Sequence, residues 1–101
     1  MDYKVIWVDE AELELCIAID WYNEKRIGLG YDLVECVDVA LLGLNRHPFI
    51  GIPVSDNVRR VLIRRFPYGL YYRVVKNVIE VVGFRHFRQN TVKSFKKRSI
   101  T

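Results

Sequence analysis

Arginine is the residue with the most chemistry to offer in this sequence. Arg59, Arg60, Arg64, Arg65, Arg73, Arg85 and Arg88 all fall between positions 59 and 88. A guanidinium is a planar fork of donors that suits carboxylates and phosphates. The alternation of VRRVLIRRF, residues 58–66, predicts one strand with Arg60 and Arg64 on the same face beside Leu62. That spacing makes a patch for an anionic partner; the alternative is a charged strand edge that discourages pairing with other chains. His86 is a candidate acid or base because an imidazole titrates near neutrality. Arg85 and Arg88 beside it disfavour the charged ring, and a lone histidine at a strand end more often has a structural role. Arg73, Arg85 and His86 are the set from which catalysis would be assembled; binding without catalysis is the leading expectation. Tyr68, Tyr71 and Tyr72 could stack on bases, although such tyrosines more often pack across strands. Cys16 and Cys36 have no metal or redox spacing. No metal and no cofactor is expected.

The chain has 101 residues, half of them hydrophobic. That length predicts one domain able to fold without staples, and that composition excludes intrinsic disorder. No apolar run reaches the roughly 18 residues of a membrane span, and the first residues lack a signal-peptide pattern. A reduced, cytoplasmic protein with no membrane partner is expected. Charge is strongly polarised. Residues 1–44 carry 3 Lys/Arg against 10 Asp/Glu, a net −7, whereas residues 45–101 carry 13 against 2, a net +11. The basic half again suggests an anionic partner, whether nucleic acid, a phosphate-rich surface or an acidic protein segment.

The elements that must position these residues are readable from period and punctuation. Residues 3–8 predict a strand. Asp9 then reads as an N-cap with Glu12 as its capping-box partner. A helix from Glu10 to about Arg26 carries the stripe Ala11, Leu15, Ala18, Ile19 and Tyr22. After Gly28-Leu29-Gly30, a second helix from about Tyr31 to Asn45 carries Leu33, Val37, Ala40, Leu41 and Leu44. Val34, Val39 and Leu42 widen its apolar surface, leaving area for a partner. Residues 46–57 read as an irregular connection punctuated by Pro48, Gly51 and Pro53. Three strands follow, over 58–66, 70–75 and 78–87, with Lys76-Asn77 as a tight turn. The nearly continuous apolar run of the third predicts a strand covered on both faces. The order β-α-α-β-β-β is an α+β fold, a helical hairpin with a three-stranded antiparallel meander and the N-terminal strand added at an edge. The domain is expected over residues 1–90. Residues 91–101 read as a basic C-terminal tail with only Val92, Phe95 and Ile100 to pack.

The segment VRRVLIRRFPYGLYYRV, with GFRHFRQN after it, resembles the ParE branch of the RelE/ParE toxin superfamily of bacterial and archaeal toxin–antitoxin modules. Ala18-Ile-Asp20-Trp-Tyr22 looks like the family's first helix and Gly28-Leu-Gly30 like its hairpin turn. Asn45-Arg-His-Pro48 with Gly51-Ile-Pro-Val looks like its N-P-x-x-G-x-P connection, with Arg46 and His47 interposed. The likeness spans roughly residues 3–90. Many ParE-like members end in His-Gly-Arg-Arg-Asp-Pro, where this chain has His86-Phe87-Arg88-Gln89-Asn90. The resemblance implies a type II toxin of the plasmid-stabilisation kind, held inactive by a cognate antitoxin and poisoning DNA gyrase by binding. The RelE branch instead cuts mRNA on the ribosome; a non-toxic basic binding module is the remaining alternative. RelE-like chains typically place an arginine directly before the Leu-Val-Tyr stretch of the second hairpin strand, and the matching position here is Gly69. They also often end with a tyrosine past the last strand, where this chain has His86 and Phe87. Antitoxin or target contacts are expected at Arg59, Arg60, Arg64, Arg65, Arg73, Arg85 and Arg88, with Val34 and Leu42.

Overall fold

The structure, a computed structural model, describes residues 2–88 together with Phe95 and Arg98. Its elements are β1 (Lys4–Trp7), α1 (Asp9–Lys25), α2 (Leu29–Arg46), β2 (Ile52–Ser55), β3 (Val58–Leu62), β4 (Tyr68–Val75) and β5 (Val78–His86). They form an α+β fold in which one sheet, ordered β1-β5-β4-β3-β2, lies against the helical hairpin. β1 takes the expected edge, but it runs parallel to β5, with Lys4 opposite Val78 and Trp7 opposite Val81. A parallel pair needs a long connection, which the helices and the other strands supply. The sheet is therefore mixed rather than a pure meander.

The antiparallel part has four strands, not three. β2 lies within the connection expected to be irregular, pairing Ile52 with Arg60 and Pro53 with Arg59, and it is bulged before Ser55. Proline is tolerated there because β2 is an edge strand with one side unpaired. β3 is shorter than expected. It stops at Leu62, and the chain turns through residues 63–67 with Arg65 at φ 72°. Arg64 thus stands on the turn and does not share a strand face with Arg60. In the β4–β5 turn it is Lys76, not Asn77, that takes positive φ.

Both helices carry the expected stripes inward. Ala11, Ala18, Leu33, Val37 and Leu44 are buried, with Leu15, Ile19, Tyr22, Ala40 and Leu41 packed around them. Their sheet counterparts are Leu70, Tyr72, Ile79, Val81 and Phe84. Asp9 is not the N-cap. Val8 occupies that place with extended backbone and no side-chain hydrogen bond, so Asp9 and Glu12 act on the first turn only through the helix dipole. α2 begins at Leu29, before the expected Tyr31. Gly28 turns the chain at φ 91°, and Asn23 Oδ1 accepts the Gly30 N–H at 2.8 Å, so Gly30 is already helical.

Part of the second face of the sheet is covered as well. Tyr71 and Gly83, opposite each other on β4 and β5, point away from the helices toward Phe95. Phe95 is 1% exposed, its ring 4.8 Å from that of Tyr71 and lying where Gly83 has no side chain. Of the three tail residues expected to be able to pack, Phe95 does so; Val92 and Ile100 lie outside the described residues.

Candidate functional site

The arginines do not form one patch. Arg59 donates to the carbonyls of Phe49 (3.0 Å) and Gly51 (2.8 Å), tying the α2–β2 connection to β3. Tyr72 Oη accepts the Gly51 N–H at 2.9 Å, completing that tie. Arg73 pairs with Glu80 across the hairpin and donates to the Arg98 carbonyl. Arg85 is buried, with its Nε 2.6 Å from Glu14 Oε2. Arg65 stands 3.6 Å from Asp32, and Arg64 is exposed beside it on the 63–67 turn. Arg88 is exposed past the end of β5. Arg60 lies on the second face of the sheet, opposite Tyr71.

Glu14 organises the interior cations, and no sequence signal pointed to it. β1 pairs β5 only as far as Val81, which leaves the next stretch of the β5 edge open. α1 delivers Glu14 to that edge. Its Oε1 accepts the Phe84 N–H at 3.0 Å, and both oxygens accept from Arg98, at 2.9 and 3.1 Å. Arg98 also donates to the Val82 carbonyl at 2.9 Å. Burial pushes the Glu14 carboxyl up, but hydrogen bonds from Arg98, the Phe84 amide and Arg85 outweigh it, so the group lies below its ordinary 4.5. The arrangement closes a sheet edge. Arg85 and Arg73 face carboxylates in the protein itself, as a structural role requires, rather than standing open for a ligand.

His86 accepts the Arg88 N–H on Nδ1 at 3.1 Å and sits edge-on to the Tyr68 ring, centroids 5.3 Å apart. This places the proton of the neutral ring on Nε2. Tyr22, Tyr68 and Tyr72 are all pushed above the ordinary phenol value, chiefly by burial. None of these hydroxyls is tuned toward proton transfer at neutral pH.

Of the expected apolar contacts, Leu42 is exposed and Val34 is half-buried. α1 shows a second outward stripe, Leu13, Ile17 and Trp21, at i, i+4 and i+8. Trp21, an aromatic of the type usually found in a core, is half exposed there. Besides a cavity of about 200 Å³ beside Arg59, two surface cavities include members of the arginine set. One, about 250 Å³, is lined by Asp32, Glu35, Cys36, Val39, Arg64 and Arg65. The other, about 260 Å³, is lined by Arg60, Leu62, Tyr71 and Phe87. The first mixes both signs of charge; the second joins one cation to an apolar wall. Among the described residues there is no cluster of three metal-ligating side chains, and no helix is long and apolar enough to cross a membrane.

The sequence matches no family model and no curated protein. A solved chain titled "Chromosomal ParDE TA system from P. aeruginosa" superposes with a TM-score of 0.73. The two chains share a fold. Identity is 17%, and the likeness covers 83% of this chain and 95% of that one. At that identity the match shows the shared fold alone.

Proposed function

We propose that this chain is the toxin of a type II toxin–antitoxin module, of the ParE kind. In this reading it acts in the cytoplasm by binding DNA gyrase, and an adjacent-encoded antitoxin neutralises it. The observation that carries the reading is the fold shared with a chain of a ParDE system over nearly its whole length. The RRFPYGLYYRV segment and the polarised charge support it. An antitoxin segment both acidic and amphipathic would suit the exposed arginines and the apolar surface near Val34 and Leu42.

Binding is favoured over RNA cleavage on a specific ground. Cutting through a 2′-hydroxyl needs a base, an acid for the leaving oxygen and cations on the developing charge. Gly69 supplies neither charge nor proton, and Arg73 and Arg85 are held by Glu80 and Glu14. Losing one such stabilising group commonly costs about 10²–10³ in rate. Purified chain is expected to block gyrase supercoiling or trap cleaved DNA, and to leave mRNA intact on translating ribosomes. Codon-positioned mRNA cuts that disappear in His86→Ala would establish the RelE-like alternative instead. A chain that inhibits neither system and ignores the neighbouring gene product would be a non-toxic basic binding module.

A further inference from the structure

Two exposed apolar surfaces are left unused by the fold, and they carry opposite charge. The first is the outward stripe of α1, Leu13, Ile17 and Trp21, which are 61%, 60% and 50% exposed along about 12 Å of helix. Glu10, Asp20 and Glu24 are exposed on the same side, each three residues from a member of the stripe. Among the described residues none of these three acids has an ion pair. Asp20 and Glu24 are a like-charge i, i+4 pair, and Glu24 stands in the last turn, where the helix dipole disfavours an acid. A cationic neighbour would relieve both costs. The second surface is the loop between α2 and β2. Phe49, Ile50 and Ile52 are 59%, 65% and 59% exposed there, with Arg46 exposed at the end of α2 before them. The next acid along the chain, Asp56, stands on the β2–β3 turn. The loop is braced by the Arg59 and Tyr72 hydrogen bonds to Phe49 and Gly51, and the Arg59 guanidinium lies 5.4 Å from the Phe49 ring. Exposed apolar side chains on a loop held in one shape are suited to binding.

We infer that the two surfaces bind each other between copies of this chain, the loop of one copy seating on the α1 stripe of the next. Arg46 and Arg59 then face the acids of the stripe, and Phe49, Ile50 and Ile52 bury against Leu13, Ile17 and Trp21. α1 packs over β5, toward one edge of the sheet, whereas the loop leads into β2 at the other edge. A copy therefore cannot cover its loop with its own helix. A second copy covers both surfaces with one kind of contact. An acidic segment from another protein would suit the loop and leave the stripe exposed. Strand addition is a poorer use of the same edge, because β2 has four residues, a proline and a bulge. The contact joins two different surfaces, so it can continue from copy to copy. With three apolar side chains from each surface it is small and transient. The inference is independent of the toxin reading, since an inactive chain would associate equally.

Sedimentation velocity of the full chain should show self-association that passes beyond two copies between about 20 μM and about 1 mM protein. The association should weaken at least about threefold from about 50 mM to about 500 mM salt. Ile17→Ser and Ile50→Ser change exposed positions, so both should keep the wild-type circular dichroism spectrum, and each alone should sediment as a monomer. Mixed in equal amounts they should form a dimer and nothing larger, because each pair retains one intact loop and one intact stripe. Misfolding of either variant would not give that complementation. A wild type that stays monomeric at about 1 mM, or variants that fail to complement, would overturn the inference. So would an Ile50 methyl signal that ignores added wild-type chain and shifts only with the neighbouring gene product, which would give the loop to that partner.

Discussion

Glu14 carries more structural consequence than any arginine it meets. Its side chain joins α1 to the open edge of β5 and to two guanidiniums, Arg85 and Arg98, that are only 11% and 13% exposed. Removing one partner of such a group leaves buried charge uncompensated, which costs about 3 kcal/mol. Glu14→Gln should therefore lower the urea midpoint clearly, and a midpoint within error of wild type would contradict the role given to it. The pH dependence has a definite sign. The folded carboxyl lies below 4.5 while the unfolded one titrates near it, so in between the unfolded chain holds the extra proton. The Glu14 contribution is complete above about pH 4.5 and is lost as pH falls through the folded value. Melting curves of wild type and Glu14→Gln should converge on acidification. His86 makes the opposite case. On the proposed gyrase-binding reading, with its ring in a local hydrogen bond and no tuned hydroxyl beside it, His86→Ala should change inhibition by less than about twofold, against the 10²–10⁴ expected on losing a general acid or base.

At the level of elements, the helices and the long strands were legible because their signals are periodic and local. The stripe of Leu33, Val37 and Leu44 needs no tertiary information. β2 was not legible, because four residues containing a proline carry no period and form a strand only once β3 offers an edge. The shortened β3 was hidden for a related reason: the apolar alternation runs on past Leu62, but Arg65 at positive φ breaks it. Of the arginine set only Arg64, Arg65 and Arg88 stand exposed as the cationic surface expected of all seven. Which members are tied inward was not legible, because Glu14 lies 71 residues from Arg85 and 84 from Arg98. Where Phe95 packs was hidden for want of the same information. Phe95 is one aromatic in a basic stretch until Gly83 leaves space for it. Phe95→Ala should cost about 3 kcal/mol by urea unfolding, and removing residues 91–101 at least as much. Gly83→Ala should also destabilise, since the new methyl collides with the ring. Combined with Phe95→Ala, it should cost less than the two changes summed, because each removes the same contact. Simple additivity would mean that Phe95 does not rest on Gly83.

For the whole molecule, the dominant feature is the separation of charge, net −7 over residues 1–44 and net +11 beyond. The structure spends part of this internally, on the Glu14 and Asp32 pairs, and leaves Arg64 and Arg88 exposed. On the proposed toxin reading, association with an acidic antitoxin segment should be electrostatically steered. Its on-rate should fall at least about tenfold between 50 mM and 500 mM salt while the off-rate changes less. An on-rate indifferent to salt would locate the recognition in the apolar surface instead. The parallel pairing of β1 with β5 has a different reach. During synthesis β1 emerges first and waits, because its partner begins at Val78, and the carboxylate on α1 waits longer still for Arg98. Helices and hairpins can form as they leave the ribosome, but the sheet cannot close until nearly the whole chain is out. A nascent chain stopped at residue 75 should thus be readily digested by protease. The folded molecule forms late and all at once, which on the proposed toxin reading gives a co-expressed inhibitor time to be present first.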